Sequence, residues 1–367
     1  MKVRYSYLPQ QFAEIDDLMA EIRRFVATGD FTLGKPVAEF EARFAGLIGT
    51  RHAIGVGSGT DAIKLSLKAL GVGHGDEVIT AANTFIATVG AIAELGARPV
   101  FVDCDDTFCM DVGQVEAAIT PRTRAIVPVH FTGYMTDMTR LAPIAEAHGL
   151  PIVEDACQAI LASQQGRNAG TWGRAGAFSL HPLKNLNVWG DAGIIVTDDD
   201  ELAHRLRLLR NHGMRNRDEI EILGCNSRLD SLQAVVGNWL IGSARAISDQ
   251  RIANAEYFDR ELSAIPQIRI PPRVPGMRLV YHLYIVFAED RDGLLRHLLD
   301  QGIEAKVHYP IPLYRQDALK HLGYPDGAFP VTDRHTREII TFPTDQHISR
   351  AEQDFVVEQV RAYYERR

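Results

Sequence analysis

Between residues 50 and 200, short continuous apolar runs alternate with longer stretches whose apolar residues recur every three or four positions. The runs His52–Val56, Glu77–Thr80, Arg98–Val102, Arg124–Val129, Pro151–Glu154, Ala175–Leu180 and Gly193–Thr197 are mostly apolar throughout instead of alternating. That is the pattern of strands covered by helices on both faces of a largely parallel sheet. Between them, Thr60–Leu70 places Ile63, Leu67 and Leu70 on one helical face, and Thr84–Leu95 repeats the rhythm. Glycines at 71, 73, 75 and 96 stand where C-terminal caps belong. The order predicts an α/β fold with a seven-stranded, mostly parallel sheet between helices.

A long helical pattern runs from Leu229 to about Leu262. Pro266, Pro271, Pro272 and Pro275 then interrupt the chain and suggest a change of domain. Beyond them Arg278–Phe287 reads as a strand, Asp290–Gln301 as a helix and Phe355–Tyr364 as a closing helix. The expected division is a large domain over 1–250 that includes the N-terminal segment, and a smaller α+β domain over 251–367.

The 367 residues, 46% hydrophobic and 23% charged, suit a folded globular protein with a large core. A net charge of −8 argues against a nucleic-acid surface. The opening MKVRYSYLPQQFAEIDDLMAEIRR has no signal-peptide apolar run and no later stretch is long enough to span a bilayer, so a cytoplasmic protein is expected. Cys104, Cys109, Cys157 and Cys225 lack metal-site spacing, and reduced thiols with no structural metal are expected.

Three constellations carry chemistry. Gly55-Val-Gly57-Ser-Gly59-Thr60 follows a strand and opens a helix, but Thr60 stands where a dinucleotide fingerprint has Gly or Ala, and no acidic residue closes the next strand. What survives is a small-residue turn whose N–H groups and helix dipole point at an anion, suited to a phosphate. Asp155, after Glu154, ends an apolar strand at the edge where open α/β sheets bind ligands; the plain alternative is a helix cap. Lys184 lies between two buried strands, five residues after Ser179 and 29 after Asp155. A solvated surface position is the default for a lysine, but apolar surroundings can lower its pKa and make it a nucleophile. A phosphate turn, a strand-end carboxylate and a lysine together meet the needs of pyridoxal 5′-phosphate.

With these residues in view, the chain resembles the DegT/DnrJ/EryC1/StrS sugar aminotransferases, which have the aspartate aminotransferase fold, fold type I. The blocks that carry the resemblance are Gly57-Ser-Gly-Thr-Asp-Ala62, Thr84-Phe85, Val153-Glu-Asp-Ala-Cys-Gln-Ala159, Phe178-Ser-Leu-His-Pro-Leu-Lys-Asn-Leu186, Gly190-Asp-Ala-Gly193, Asn226-Ser-Arg-Leu-Asp230 and Val307-His-Tyr-Pro310. The resemblance implies Lys184 as the Schiff-base lysine and proton shuttle, Asp155 on the pyridine nitrogen and Gln158 near the cofactor's 3-hydroxyl. It also implies Phe85 stacked on the ring, and Gly59, Thr60 and Ser179 around the phosphate. Asn226 would reach the phosphate of a neighbouring subunit, so a homodimer with shared active sites is implied. Where relatives often have Gly-Glu-Gly-Gly this chain has Gly190-Asp-Ala-Gly193, and Cys225 stands where an aromatic residue often precedes the Asn.

His308 and Tyr309, followed by Tyr314, resemble the sugar-recognition segment, or else pack between domains; His181 faces the cofactor or satisfies a turn. Arg228 either binds a donor carboxylate, as a planar guanidinium can, or pairs with an acid such as Asp230. The implied reaction moves the amine of L-glutamate through pyridoxamine 5′-phosphate onto a keto group of a nucleotide-linked deoxysugar. Asp191 resembles relatives acting at C-3, and His181-Pro-Leu-Lys184 those acting at C-4. Other readings are a keto-cyclitol aminotransferase, a non-catalytic pyridoxal-phosphate-binding regulator and, from Gly55–Thr60 alone, a nucleotide-dependent oxidoreductase.

Overall fold

The computed structural model describes residues 1–366. The apolar runs form strands β1 His52–Val56, β2 Glu77–Ala81, β3 Arg98–Val102, β4 Thr123–Val127, β5 Val153–Asp155, β6 Ala175–Ser179 and β7 Gly193–Thr197. Hydrogen bonding gives the groups β1-β7-β6-β5 and β3-β2-β4. Parallel bridges Ile126–Ile152 and Val129–Asp155 join β4 to β5. The result is one sheet in the order β1-β7-β6-β5-β4-β2-β3, parallel except for β7, which is antiparallel to both neighbours. Interior strands such as β2 and β7 are buried along their whole length because helices cover both faces.

The helix Gly59–Ala69 packs on β6 and β7 on one side, and Lys35–Ile48 packs on β1 with Ser231–Leu240 behind it. One core cluster unites Phe40, Phe44, Ile79 and Phe178, and another unites Ile54, Leu67, Val127 and Ile195.

A second sheet joins β8 Ile268–Arg269, β9 Tyr284–Ala288 and β10 Ile339–Phe342, all antiparallel. The helices Ala244–Leu262, Arg291–Asp300 and Arg350–Glu365 share its core through Phe258, Leu294 and Val360. Val3 belongs to the same cluster and bridges Ile303. The division at 250/251 remains our proposal for how the chain is organised.

Three element boundaries differ from the sequence pattern. The helical stretch 229–262 breaks into Ser231–Leu240 and Ala244–Leu262 with a tight turn over Ile241–Ser243. The closing helix starts at Arg350, because Ser349 and Glu352 form a reciprocal capping box there. The run 278–287 is extended only at Met277–Arg278 and from Tyr284 onward. Between them Tyr281 takes a φ of 45°, while Val280 and Leu283 donate to the carbonyls of Gly133 and Thr132 at 3.2 Å each. This diversion carries His282 and Leu283 into the cavity described next.

Candidate active site

At the C-terminal ends of β1, β5 and β6 lies a cavity of about 300 Å³, where open α/β sheets place their ligands. Its floor begins at the turn after β1. Ser58 caps the helix Gly59–Ala69, its Oγ accepting from the Asp61 N–H at 3.1 Å. The first-turn N–H groups of Gly59 and Thr60 have no intrahelical acceptor, and with the helix dipole they favour an anion. Two glycines let this turn lie against the sheet. A Cβ on Gly59 would stand 2.7 Å from Ser179 Cβ and 2.9 Å from Cys157 Sγ, and one on Gly193 would stand 2.2 Å from the Ser58 carbonyl oxygen.

The paired acids after Val153 have separate tasks. Glu154 is fully buried and accepts from the backbone N–H groups of Gly170, Trp172 and Gly173 at 2.6–2.7 Å, with His130 Nε2 at 2.9 Å. It ties the 170–173 loop to β5 and lines no part of the cavity. Asp155, on the opposite face, lines it. Its Oδ2 accepts from Thr88 Oγ1 at 2.6 Å and its Oδ1 from the Cys157 N–H at 3.2 Å. Asp155 therefore caps no helix. Gln158 is held by its Oε1, which accepts from the Thr132 N–H at 2.8 Å.

Lys184 sits in the β6–β7 connection, a loop pinned by its backbone. Tyr7 Oη and Asn187 Nδ2 donate to the Lys184 carbonyl at 2.9 and 3.0 Å, and Asn185 Nδ2 donates to the Val280 carbonyl at 2.9 Å. The side chain lines the cavity. No carboxylate among the described residues lies within 4.0 Å of its amine. Burial holds its pKa below the ordinary lysine value, with Cys157 and Asp155 opposing. Burial also pushes the Cys157 thiol well up, reinforced by Asp155. The sulfur stays protonated, so Asp155 supplies the opposing charge.

The same cavity brings together Gly59, Thr60, Phe85, Asp155, Gln158, Ser179, His181, Lys184, His308 and Tyr309 from the sequence reading. Phe85 is 51% exposed, its ring 6.0 Å from that of Tyr309. His181 does two things, lining the cavity while its Nδ1 accepts from the Leu183 N–H at 3.4 Å. His308 joins Tyr309 through a cis peptide and pairs its Nδ1 with Thr341 Oγ1 at 2.9 Å. Burial, then the charges of Lys306 and Lys184, push its pKa down to about 4.

Some candidates lie elsewhere. Asn226 is exposed and outside the cavity of this chain. Arg228 forms no ion pair with Asp230 and donates to Asn211 Oδ1 at 3.1 Å. Tyr314 is buried away from the cavity, its hydroxyl on the Asp333 carboxylate at 2.7 and 2.8 Å.

Sequence reasoning missed Tyr5, Thr88, Cys157, His282 and Lys306. Thr88 follows Thr84 by one helical turn, and Lys306 directly precedes the Val307–Pro310 block, so both carried a faint signal. Tyr5 carried none. It reaches the cavity because the N-terminal segment is anchored to the far end of the chain, with the Tyr5 N–H on Glu304 Oε2 at 3.0 Å.

The sequence matches the model of the "DegT/DnrJ/EryC1/StrS aminotransferase family" over residues 13–361. It is 40% identical to a "pleiotropic regulatory protein" of Geobacillus stearothermophilus over 99% of each chain. It is 41% identical to a dTDP-3-amino-3,4,6-trideoxy-alpha-D-glucose transaminase of Streptomyces venezuelae over 96% of this chain and 95% of that one. Among solved structures, S. venezuelae DesV in complex with a ketimine intermediate superposes with a TM-score of 0.97 at 40% identity, covering 100% and 99% of the two chains. Bacillus subtilis NtdA with bound cofactor PMP superposes at 0.92 and 30% identity, covering 99% and 85%. The chain belongs to the DegT/DnrJ/EryC1/StrS aminotransferase family, in keeping with both its layered fold and its lysine-bearing cavity.

Proposed function

We propose that this aminotransferase uses pyridoxal 5′-phosphate to move the amine of L-glutamate onto the keto group of a nucleotide-linked deoxysugar. One observation carries the reading: an amine of lowered pKa, a strand-end carboxylate and an anion-seeking helix N-terminus face a single cavity.

The donor set suits this cofactor. Lys184 offers an amine with no ion-pair partner among the described residues, fit to bind an aldehyde covalently. Asp155 would hold a proton on the ring nitrogen, Gln158 would meet the ring hydroxyl and Phe85 would cover the ring face. Gly59, Thr60 and Ser179 would hold the phosphate, on a turn whose close seat against the sheet an added Cβ at Gly59 or Gly193 would disrupt. When bound, the cofactor supplies an electron sink for the carbon that bears the amine.

The work of the chain is then proton traffic and positioning. Lys184 takes a proton from the α-carbon of glutamate, and in the second half returns one to the former keto carbon of the sugar. The lowered pKa of this amine makes its free-base form easier to reach, as a group that both takes and gives protons requires. His181, His308 and Tyr309 orient the sugar. The 3-amino product in the transaminase relative's name, with Asp191 on the cavity wall, favours C-3 over C-4.

We further hold the active unit to be a cytoplasmic homodimer in which Asn226, exposed here, serves the neighbouring phosphate. No helix among the described residues is long and apolar enough to cross a membrane. The relative named a regulatory protein keeps a second reading alive, cofactor binding without turnover. One assay separates the two: adding L-glutamate to the pyridoxal-phosphate-loaded protein should bleach its visible band and release one equivalent of 2-oxoglutarate. A band that persists would refute amine transfer from glutamate.

A further inference from the structure

The cavity holds a second lysine that this chemistry leaves unused. Lys306 lines the same cavity, and its position is built. Its N–H donates to the Thr341 carbonyl at 3.0 Å and its carbonyl accepts from the Thr341 N–H at 2.8 Å, which fixes the residue to β10. Its ammonium rests 4.2 Å above the ring centroid of Tyr5. Tyr5 is wedged in turn by the Glu304 carboxylate on its N–H and by the His308 ring at 5.8 Å.

Lys306 has no ion-pair partner among the described residues although it is exposed. The imidazole beside it, His308, is pushed down to about 4 and stays neutral at physiological pH. An exposed cation held over an aromatic face on the wall of a binding cavity is a preorganised seat for an oxyanion.

Size decides which oxyanion. A cavity of about 300 Å³ sits at the lower end of the range for ligand sites. The cofactor and the reacting sugar ring would fill it, so the rest of a nucleotide-linked substrate must lie at the rim. Glutamate is short enough to lie inside. We infer that Lys306, held by Tyr5, binds the diphosphate of the nucleotide-linked substrate and thereby sets specificity for an activated sugar. This rests on the amine transfer proposed above.

The test uses the cofactor-loaded full-length protein, its Lys306→Met and Lys306→Arg variants, and calorimetric titration with dTDP and with succinate as an unreactive dicarboxylate. Lys306→Met should weaken dTDP binding at least about tenfold, the lower end of the loss expected for one charge-assisted hydrogen bond. Lys306→Arg should stay within about threefold and lessen the response to added salt little. Succinate binding should not change. Unchanged dTDP affinity in Lys306→Met overturns the inference, and so does a loss confined to succinate. If wild type is not bleached by glutamate yet loses dTDP binding on Lys306→Met, the amine-transfer reading fails while the anion seat stands.

Discussion

Replacing Gly193 by Ala tests how the phosphate turn is built. Gly193 opens β7 and pairs with Val56 of β1 and Ser179 of β6. Its missing side chain faces the Ser58–Gly59 peptide: an added Cβ would lie 2.2 Å from Ser58 O, 2.4 Å from Ser58 C and 2.8 Å from Gly59 N. These are backbone atoms that no rotamer change can clear. Bringing the closest contact to an ordinary distance moves the turn by about 1 Å, an overpacking that costs roughly 1–3 kcal/mol. The same shift misdirects the Gly59 and Thr60 N–H groups. With a charge-assisted hydrogen bond worth roughly 1.5–3 kcal/mol, losing one lowers affinity for pyridoxal phosphate about 10- to 150-fold. Denaturant melts read the first effect, and absorbance titration with pyridoxal phosphate the second. Gly46→Ala is the control, since a Cβ there meets nothing within 4 Å in the helix Lys35–Ile48; it should gain up to about 1 kcal/mol of helix propensity and bind the cofactor normally. A Gly193→Ala protein that is less stable yet binds pyridoxal phosphate as wild type would refute the placement of the phosphate at this turn.

Other outcomes follow from neighbouring contacts. Thr88→Val removes the buried hydroxyl on Asp155 and should slow glutamate-driven bleaching about 10- to 150-fold, by roughly 1.5–3 kcal/mol. Thr88→Ser should retain most of the rate, and equal rates in Val and wild type would deny Asp155 its orienting partner. Glu154→Ala strands three backbone N–H groups and His130. It should cost at least about 3 kcal/mol in urea unfolding; a cost below about 1 kcal/mol contradicts the role given to Glu154. His308, pushed down to about 4 from 6.5, binds fewer protons folded than unfolded between those values. Its share of stability is present above pH 6.5 and lost as pH falls toward 4. His308→Asn should flatten that slope in denaturation measured across the window, and an unchanged slope assigns it to other groups.

Much of this architecture was legible because its signals are local. Continuous apolar runs located all seven sheet strands within a few residues, since burial on both faces leaves few polar positions in a strand. The reversal of β7 was not legible, because hydrophobic pattern carries no direction. The run 278–287 misled for a related reason: its residues are apolar enough for a strand, but hydrogen bonds to Thr132 and Gly133 turn the chain at Tyr281. In the site, Lys184, Asp155 and Gly59 lie within short recognisable blocks. Thr88 acts on a carboxylate 67 residues away. Tyr5 meets Lys306 and His308 from the other end of the chain. Such pairs follow from packing, which no single motif encodes. Glu154 shows the converse, a motif acid whose neighbours make it structural.

The central claim is that one amine, that of Lys184, captures the cofactor in this cavity. Borohydride reduction of the protein mixed with stoichiometric pyridoxal phosphate, followed by peptide mass spectrometry, addresses it directly. The account predicts the reduced cofactor on the peptide containing Lys184 and its absence from Lys184→Ala. Label on Lys306, or spread over surface lysines with Lys184 unmodified, would contradict it.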